Sequence, residues 1–268
     1  MDQSDQSDSP AQAGMLKTQQ TVSKEGSAWR RYQDVMVGSR SLWRTLYYEL
    51  CVWLAPVPGG LGLILRKVFW PRLFGSCGRG VQFALGITLR QPHRMHLGAR
   101  VIISEHCVLD GRNEDTDRAI TLEDDVILSA FGVVKVKGSR IRVGARTGIG
   151  PHAELIATDG SDVDIGTDVL IGPRVTIVGG GEYRLDRLDV PIWRQGIKPD
   201  GAVRIEDNVW LGGGVAVLGG TRIGTGSVVA AGAVVRGTIG PFVICGGIPA
   251  RTIRQRGPMR GDAPEGSS

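Results

Sequence analysis

An aliphatic residue recurs at every sixth position through most of this chain, and this period constrains the fold more than any other feature. The repeat contains six runs of three residues: Leu97, Ile103 and Leu109; Leu122, Leu128 and Val134; Val143, Ile149 and Leu155; Ile165, Ile171 and Ile177; Ile205, Leu211 and Val217; Ile223, Val229 and Val235. Short strands separated by corners produce such a period, and three strands complete a triangular coil of about 18 residues. Stacked coils bury one continuous apolar core that a single coil is unable to bury. The sequence therefore predicts an all-β fold, a parallel β-helix.

The composition of the chain agrees with this fold. Glycine occupies 40 positions, about twice its usual share of roughly 7%, and we expect it to supply corner dihedrals that a Cβ would obstruct. Charged residues at 22% and hydrophobic residues at 41% argue against wholesale disorder and against a polytopic membrane protein. A doubly wound α/β sheet would require helical patterns between its strands, and the repeat region contains none.

Changes in composition divide the chain into four segments. Both ends are polar and are expected to be disordered tails. An apolar and basic segment, predicted to be helical, precedes the β-helix domain. The predicted boundaries are 1–27 and 257–268 for the tails, 28–80 for the helical segment and 81–256 for the β-helix.

The helical segment is expected to form a helical hairpin. One helix is predicted over residues 42–54 and a second over 61–69, on either side of a Pro-Gly-Gly break. The longest stretch without a charge, 50–65, has 16 residues and contains two prolines. This is short of the roughly 20 residues that a helix needs to span a bilayer, so a transmembrane helix is not predicted.

Residues 28–75 fit two roles. Between Lys24 and Arg79 nine residues are basic and three are acidic, and tryptophan and tyrosine punctuate the apolar run. Aromatic rings and basic side chains beside a short apolar stretch are typical of a helix at a membrane surface. A β-helix also needs a cap over the core and strand edges at its open end. We expect capping, peripheral membrane contact, or both.

The net charge and the first residues of the chain limit the partners and the location that we expect. The formal net charge of +5 is a modest surplus that favours anionic ligands in general, and we expect no nucleic-acid partner. The first residues, MDQSDQSDSP, lack the basic start and apolar run of a signal peptide. We therefore expect a cytoplasmic protein, peripheral at the inner membrane if residues 28–75 dock there.

No metal site is expected. The four cysteines lie far apart without a CxxC pair, which argues against zinc-finger chemistry. The histidines are His93, His96, His106 and His152. They offer no evident trio around zinc of the kind that β-helix carbonic anhydrases require.

One long interruption of the repeat is the best candidate for an active site. From Ile177 to Ile205 the spacing is 28 residues, and the segment reads VGGGEYRLDRLDVPIWRQGIKPDGAV. Long ordered loops on a rigid repeat are common places for function. Two shorter breaks, before Leu122 and before Val143, need only surface turns.

The motifs resemble one family. The segment IEDNVWLGGGVAVLGGTRIGTGSVVAAGAVVRGTIGPFVICGGIPARTIR (205–254), the loop motif DVPIWRQG (189–196) and LDGR (109–112) are similar to hexapeptide-repeat acyltransferases. The similarity covers about residues 30–256, and the apolar N-terminal segment resembles acetyltransferases of polysaccharide biosynthesis. The resemblance implies a left-handed β-helix that acts as a homotrimer, with active sites in clefts between adjacent coils. It also implies transfer of an acetyl group from acetyl-CoA to a hydroxyl of a sugar or glycoconjugate.

The resemblance also assigns the site residues. In the family a histidine at the root of the long loop takes the proton of the acceptor hydroxyl, and the alignment of GGGEYRLD places Tyr183 there and Asp186 on the matching aspartate. These two are the predicted catalytic residues. The predicted acceptor-binding residues are Gln195 and Arg184. The predicted coenzyme-binding residues are Ala230, Ala231 and Gly232 along the pantetheine arm and Arg251 at the 3′-phosphate.

Tyrosine in place of histidine leaves an alternative open. A general base contributes about 10²- to 10⁴-fold when its pKa lies near the working pH. An ordinary tyrosine, with a pKa of about 10, is ionised to roughly one part in a thousand at neutral pH, a cost of about 4 kcal/mol. The alternative is a β-helix that binds a sugar or CoA without catalysis, or that serves as a scaffold.

Overall fold

The computed structural model describes residues 27–113, 115–198 and 200–257. These residues form three parallel sheets that wrap around one core, preceded by short helices. The predicted fold class, a parallel β-helix of hexapeptide repeats with an N-terminal helical segment, is thereby confirmed, and the β-helix has about eight turns. The predicted tails, 1–27 and 257–268, lie outside the described residues except at their inner ends.

The helices of the N-terminal segment come first in the chain. They are α1 (Ala28–Tyr32), a π-helical turn (Gln33–Val37), α2 (Leu42–Leu54), α3 (Gly59–Phe69) and a 3₁₀ turn (Trp70–Leu73). Two more 3₁₀ turns, Pro92–Arg94 and Ile192–Arg194, lie in the β-helix region. The bounds of α2 equal the predicted ones, and α3 begins two residues earlier than predicted.

The strands are numbered β1 to β26 along the chain and form sheets A, B and C. Sheet A contains β1 (Ser76–Cys77), β4 (Met95–Leu97), β7 (Ile120–Leu122), β10 (Ile141–Val143), β13 (Val163–Ile165), β18 (Val203–Ile205), β21 (Arg222–Ile223) and β24 (Thr238–Ile239). Sheet B contains β2 (Gln82–Phe83), β5 (Ile102–Ile103), β8 (Ile127–Leu128), β11 (Gly148–Ile149), β14 (Leu170–Ile171), β19 (Trp210–Leu211), β22 (Val228–Val229), β25 (Val243–Gly247) and β26 (Ala250–Gln255). Sheet C contains β3 (Thr88–Arg90), β6 (Val108–Arg112), β9 (Val133–Lys137), β12 (Glu154–Thr158), β15 (Thr176–Gly179), β20 (Ala216–Val217) and β23 (Val234–Val235). A separate hairpin pairs β16 (Glu182–Tyr183) with β17 (Ile197–Lys198).

The predicted repeat residues build the core. All of them lie inside the coils, and none is more than 4% exposed. In sheet A, for example, Val143 pairs with Leu122 below it and with Ile165 above it. A second inward column, two residues before the repeat position, includes Val101 and Val126. Each coil therefore buries its apolar side chains against its neighbours, as a stacked repeat must.

The β-helix is longer than the aliphatic pattern indicates. A first coil precedes the predicted ones and places Cys77, Phe83 and Leu89 in register with the next coil. A last, partial coil adds Ile239 and Cys245. The six-residue period continues through both, but cysteine and phenylalanine hid it from a pattern of aliphatic residues. The β-helix consequently starts inside the range 28–80 that was expected to be helical.

Coil length varies along the axis. Arg204 pairs with Arg222, a spacing of 18 residues, whereas Arg142 pairs with Asp164, a spacing of 22. The longer coils have five-residue strands in sheet C, as in β9 and β12, followed by a turn. The two shorter breaks predicted to be surface turns are such corners, after β6 and after β9, and a third break of the same kind, between Leu155 and Ile165, follows β12.

Many corners use residues other than glycine. Between sheets A and B one column consists of Arg100, Asp125, Arg146 and Asp168, all with φ between 56° and 60°. Arg100 pairs with Asp125 at 2.6 Å, and Arg146 pairs with Asp168 at 2.7 Å. The expectation that glycine supplies the corner dihedrals is therefore wrong for this column, where charged side chains stack from coil to coil.

Several glycines that follow a repeat residue are required for a different reason, which is the lack of space for a side chain. Gly144 does not have a positive φ, but a Cβ there would lie 2.5 Å from the carbonyl carbon of Gly166 in the next coil. The coils approach too closely at this position for any side chain. Close contact between coils thus accounts for part of the glycine excess.

The N-terminal helices cover the open end of the first coil. Phe74 stacks on Phe83 with ring centroids 5.4 Å apart, and the tilted ring of Trp70 packs on Phe83 at 5.3 Å. Tyr48 donates a hydrogen bond to the carbonyl of Leu89 at 2.5 Å. The capping role expected for this segment is what the structure shows. Over the described part of the chain, no helix has the length and apolarity needed to cross a bilayer.

A buried arginine holds the cap together. Arg66 in α3 is 1% exposed, and burial lowers the pKa of its guanidinium. Its Nε donates to the carbonyl of Phe83 at 3.0 Å, and one terminal nitrogen donates to the carbonyls of Leu54, Ala55 and Val57 at 2.8–3.2 Å. One side chain thus joins the end of α2, the turn that follows it, and the first coil.

We predict that Arg66→Ala lowers the free energy of unfolding by about 3 kcal/mol, because it leaves several buried carbonyl groups without donors. Denaturant unfolding followed by circular dichroism measures this change. The exposed neighbour Lys67 provides the control. Lys67→Ala removes a cation from the same helix without removing a buried hydrogen bond. Equal stability of the two variants would contradict the role given to Arg66.

Candidate active site

The long interruption forms an ordered loop at one edge of the β-helix. It leaves sheet C after β15 and returns to sheet A at β18, and its base is the antiparallel β16–β17 hairpin. Gly180 and Gly181 open the loop with φ of 80° and 100°. A Cβ on Gly180 would collide with the carbonyl oxygen of Thr158 in the coil below. The glycine triplet therefore lets the chain turn out of the coil.

Gln195 braces this loop. Its side-chain oxygen accepts a hydrogen bond from the backbone N–H of Arg187 at 3.0 Å. Its side-chain nitrogen donates to the carbonyls of Arg187 at 2.6 Å and Val190 at 3.2 Å. Gln195 was predicted to bind the acceptor, but both ends of its amide are used within the loop. In this structure it holds the loop's shape.

The other residues predicted for the acceptor side lie on the exposed surface of the loop. Tyr183 sits in β16 and is 38% exposed. The side chain of Asp186 is 78% exposed, and its Oδ2 is 3.9 Å from a terminal nitrogen of Arg184. The structure thus places the charged groups of Arg184 and Asp186 side by side, one and three positions after Tyr183 in the chain. All of them are open to a ligand from outside.

Two contacts fix the loop to the neighbouring coil. Glu182 at the loop root accepts a hydrogen bond from Arg236 at 3.0 Å. Where the loop returns, Asp200 lies so close to Gly219 that a Cβ there would collide with its carboxylate. One oxygen of Asp200 is buried without a hydrogen-bond partner among the described residues. Sequence reasoning missed Arg236 and Asp200, because Arg236 is 54 positions from its partner and Asp200 meets Gly219 only in the folded coil.

The predicted coenzyme residues lie at a different edge. Ala230, Ala231 and Gly232 form the corner between sheets B and C in the seventh coil. Gly232 has a φ of 70°, and no atom lies within 4 Å of a Cβ placed on it; the same holds for Gly214 one coil below. Small side chains with open space above them fit a thin pantetheine chain. Arg251, in β26 beside this end of sheet B, is exposed and suits a phosphate.

One chain does not bring the two groups of residues together. The loop residues stand at the edge between sheets C and A, whereas the coenzyme residues stand at the edge between sheets B and C. The whole width of sheet C separates these edges.

The histidines do not reach the loop root either. His106 and His152 stack on the two faces of Phe131, with centroids 5.3 Å and 4.9 Å apart, at the corner between sheets B and C. His96 lies 2.9 Å from Ser76 in sheet A, and burial lowers the pKa of His93 beside the cap. Over the described ranges, no group of three or more His, Cys, Asp or Glu side chains is placed to hold a metal ion.

The cysteines behave as buried apolar residues. Cys51, Cys107 and Cys245 are fully buried, Cys77 is half-buried, and none forms a disulfide. Burial raises the pKa of the Cys51, Cys77 and Cys107 thiols to about 11. Such thiols are poor nucleophiles near neutral pH, so these cysteines serve as small buried apolar residues.

Repeat, fold and loop together define a hexapeptide β-helix protein, and comparison with known proteins agrees. Residues 202–237 match the family described as bacterial transferase hexapeptide (six repeats). The chain is similar to hexapeptide-repeat acetyltransferases.

Two relatives and one solved structure illustrate the similarity. The galactoside O-acetyltransferase of Lactococcus lactis is 37% identical over 109 residues, which cover 41% of this chain and 51% of that protein. The galactoside O-acetyltransferase of Escherichia coli is 34% identical over 118 residues, 44% of this chain and 55% of that protein. The chain thus spans about half the length of these relatives. The N-acyltransferase AntD of Bacillus cereus, solved with dTDP and 3-hydroxybutyryl-CoA, is 17% identical and superposes with a TM-score of 0.47 over 69% of this chain and 84% of that chain.

We predict that Gln195→Ala loosens the loop without unfolding the β-helix. The backbone amide of Arg187 loses its acceptor, so its hydrogen exchange should become about tenfold faster or more. Hydrogen–deuterium exchange measured by mass spectrometry on loop peptides tests this, with Lys198→Ala as a control, because that exposed side chain lies at the base of the same loop. Unchanged exchange in Gln195→Ala would show that the β16–β17 hairpin alone orders the loop.

Proposed function

We propose that this protein transfers an acetyl group from acetyl-CoA to a hydroxyl of a sugar or glycoconjugate. The observation that carries the proposal is the single long loop, which presents Tyr183, Arg184 and Asp186 to solvent at one edge of a rigid coil. The printed names of the relatives, galactoside O-acetyltransferases, agree with this reaction. A role in polysaccharide biosynthesis and a cytoplasmic location belong to the same proposal.

The loop residues have distinct roles in this proposal. Tyr183 accepts the proton of the acceptor hydroxyl as the oxygen attacks the acyl carbon; the C–S bond of the thioester breaks, and CoA leaves as the thiol with that proton. Arg184 and Asp186, whose charged groups lie side by side, bind the hydroxyls of the sugar, and Asp186 orients the acceptor toward Tyr183. Gln195 keeps the three in place through the loop. Holding two reactants in position supplies roughly 7 to 11 kcal/mol, which is more than the ionisation cost of an ordinary tyrosine.

The coenzyme side uses small and basic residues. When bound, acetyl-CoA supplies an acyl group activated as a thioester. Ala230, Ala231 and Gly232 leave room for its pantetheine arm along the coil corner, and Arg251 binds the 3′-phosphate. Their placement at another edge of the coil from Tyr183 supports a site shared between two copies.

The surface of sheet B supports a homotrimer. Its outward side chains include Ile127, Leu170 and Trp210, which are 43%, 58% and 54% exposed. The outer face of sheet A carries charged residues instead, among them Arg142 and Asp164. An exposed apolar face on one wall of a three-sided coil suits closed threefold packing. Such packing would place the coenzyme corner, which borders sheet B, beside the next copy.

We predict that Leu170→Glu converts the trimer into monomers, because it places a carboxylate in the apolar contact. Sedimentation equilibrium should give about three times 28.7 kDa for the native protein and one third of that mass for the variant. Arg204→Glu, an exposed position on sheet A, is the control and should remain trimeric. A native protein that is monomeric at micromolar concentration would contradict both the trimer and the shared site.

We predict that the protein releases thiol from acetyl-CoA in the presence of a sugar or lipid-linked saccharide acceptor, and that Tyr183→Phe lowers kcat/KM by about 10²-fold or more. Removal of the phenolic oxygen removes the proton acceptor, whereas Tyr183→His restores a base matched to neutral pH and should equal or exceed the native rate. An acceptor panel assayed by thiol release measures both effects.

Tyr32→Phe is the matched control, because Tyr32 lies in α1 and donates a hydrogen bond to Glu49 of α2, away from the loop. A loss of only a few fold in Tyr183→Phe would assign Tyr183 a role in positioning rather than proton transfer. Absence of turnover with every acceptor, together with no CoA binding by calorimetry, would favour the alternative of a non-catalytic β-helix that binds or scaffolds.

A further inference from the structure

The two cap helices expose apolar side chains on their outer surface. Two of them, Trp43 and Trp53, are 81% and 75% exposed. We call the whole set the cap face: Leu42, Trp43, Leu46, Leu50 and Trp53 of α2, and Leu61, Ile64 and Val68 of α3. Large apolar side chains grouped in this way on a solvent-exposed surface indicate a site of contact with another molecule or with a membrane.

In α2 the helical period separates an inner and an outer side. Tyr48 and Cys51 face the first coil and are buried. Leu46, Leu50 and Trp53, at spacings of four and three residues, lie on the opposite side of the helix. Because the inner side already packs on the β-helix, the outer side points away from it.

In α3 the same division holds. Arg66 and Trp70 point inward, to Phe83 of the first coil and to the carbonyl of Cys51. Leu61, Ile64 and Val68 lie on the other side of the helix and are 55–65% exposed. Both helices thus present apolar residues at the capped end of the β-helix, directed away from the coils.

Charge around the cap face is basic. Residues 27–79 contain eight basic and two acidic side chains. Both acids have partners, since Asp34 pairs with Arg40 at 3.0 Å and Glu49 accepts a hydrogen bond from the hydroxyl of Tyr32. Arg44 and Lys67 are exposed next to the apolar residues. The surface is therefore apolar in the middle and cationic at its margins.

We propose that the cap face docks on the surface of an anionic lipid bilayer. Tryptophan rings and aliphatic side chains enter the headgroup region, and the basic side chains contact lipid phosphates. A second copy of the same face is a poorer partner, because its margins carry the same positive charge. Residues 1–23 contain almost no large apolar side chains, so they do not match the face either.

The trimer of the proposed function strengthens this docking. A threefold axis parallel to the coil axis places three cap faces on the same side of the assembly. Three weak contacts with one flat surface then act together, and the combined affinity exceeds that of one contact by a large factor. A single copy docks through its cap face alone. Only the gain in affinity from three contacts depends on the proposed trimer.

Co-sedimentation of the full-length protein with lipid vesicles tests the proposal. We expect binding to vesicles of phosphatidylcholine with phosphatidylglycerol, weaker binding at high salt, and little binding to phosphatidylcholine alone. Trp43→Ala/Trp53→Ala should lower the vesicle partition coefficient about tenfold or more, because two interfacial rings are lost. Lys67→Glu should lower it about fivefold or more on anionic vesicles, because it reverses one charge at the membrane surface.

Two control variants make substitutions of the same kind outside the cap face. Ile248→Ala removes a side chain that is 76% exposed at the far end of the β-helix, and Arg204→Glu reverses a charge on sheet A. Both should bind vesicles as the native protein does. Native protein that stays in the supernatant with anionic vesicles, or cap-face variants that bind like the controls, would overturn the proposal. Equal binding to vesicles with and without anionic lipid would overturn the role given to the basic side chains.

Activity provides an independent readout. In vesicle-free solution with a soluble acceptor, Trp43→Ala/Trp53→Ala should retain the native kcat/KM and the trimer mass. Vesicle binding with no acetyl transfer by the native protein would refute the proposed reaction and leave docking intact. The reverse result, transfer without binding, would refute docking alone.

Discussion

Contact between successive coils is the interaction on which the whole structure depends. A coil of this chain has only short strands and a few inward side chains, so it is unable to bury them alone. Val143 is excluded from water because Leu122 and Ile165 lie directly below and above it. The same closeness explains why Gly144 has no room for a Cβ. Stacking therefore dictates both the aliphatic period and part of the glycine content.

A stack of coils has two ends and three edges. The cap, the loop and the small-residue corner, to which we assign functions by proposal, lie at these ends and edges. At the first end, α2 and α3 cover the core through Trp70 and Arg66 and turn a second apolar side outward. At one edge, Gly180 and Gly181 release the loop that carries Tyr183. At another edge, small residues around Gly232 leave open space. The walls between them are regular and rigid, which holds each feature at a fixed height along the axis.

This geometry favours a site assembled from more than one copy. A rigid wall keeps the loop and the coenzyme corner apart, since sheet C has no hinge that could bring its two edges together. Threefold packing through the apolar face of sheet B would set the coenzyme corner of one copy against the next copy. The same symmetry would direct three cap faces to one side. Chemistry between copies and contact with a surface at the end would then be consequences of one assembly.

The sequence by itself determined the fold class, the helices of the cap and the position of the loop, because each has a local or periodic signature. It also indicated Tyr183 and Asp186, since they stand in a recognisable motif. It missed the first coil, where Cys77 and Phe83 replace aliphatic residues, and it missed the close contact between coils that excludes a side chain at Gly144.

Only the tertiary structure decided which distant residues meet. Arg236 reaches Glu182 across 54 positions, and Arg66 binds carbonyls from three separate segments. The bracing role of Gln195 and the separation of the two halves of the site also depend on where coils and corners fall in space. The physical reason is that a period fixes which side chains point inward, whereas contacts at edges and ends depend on the lengths of all the turns between them.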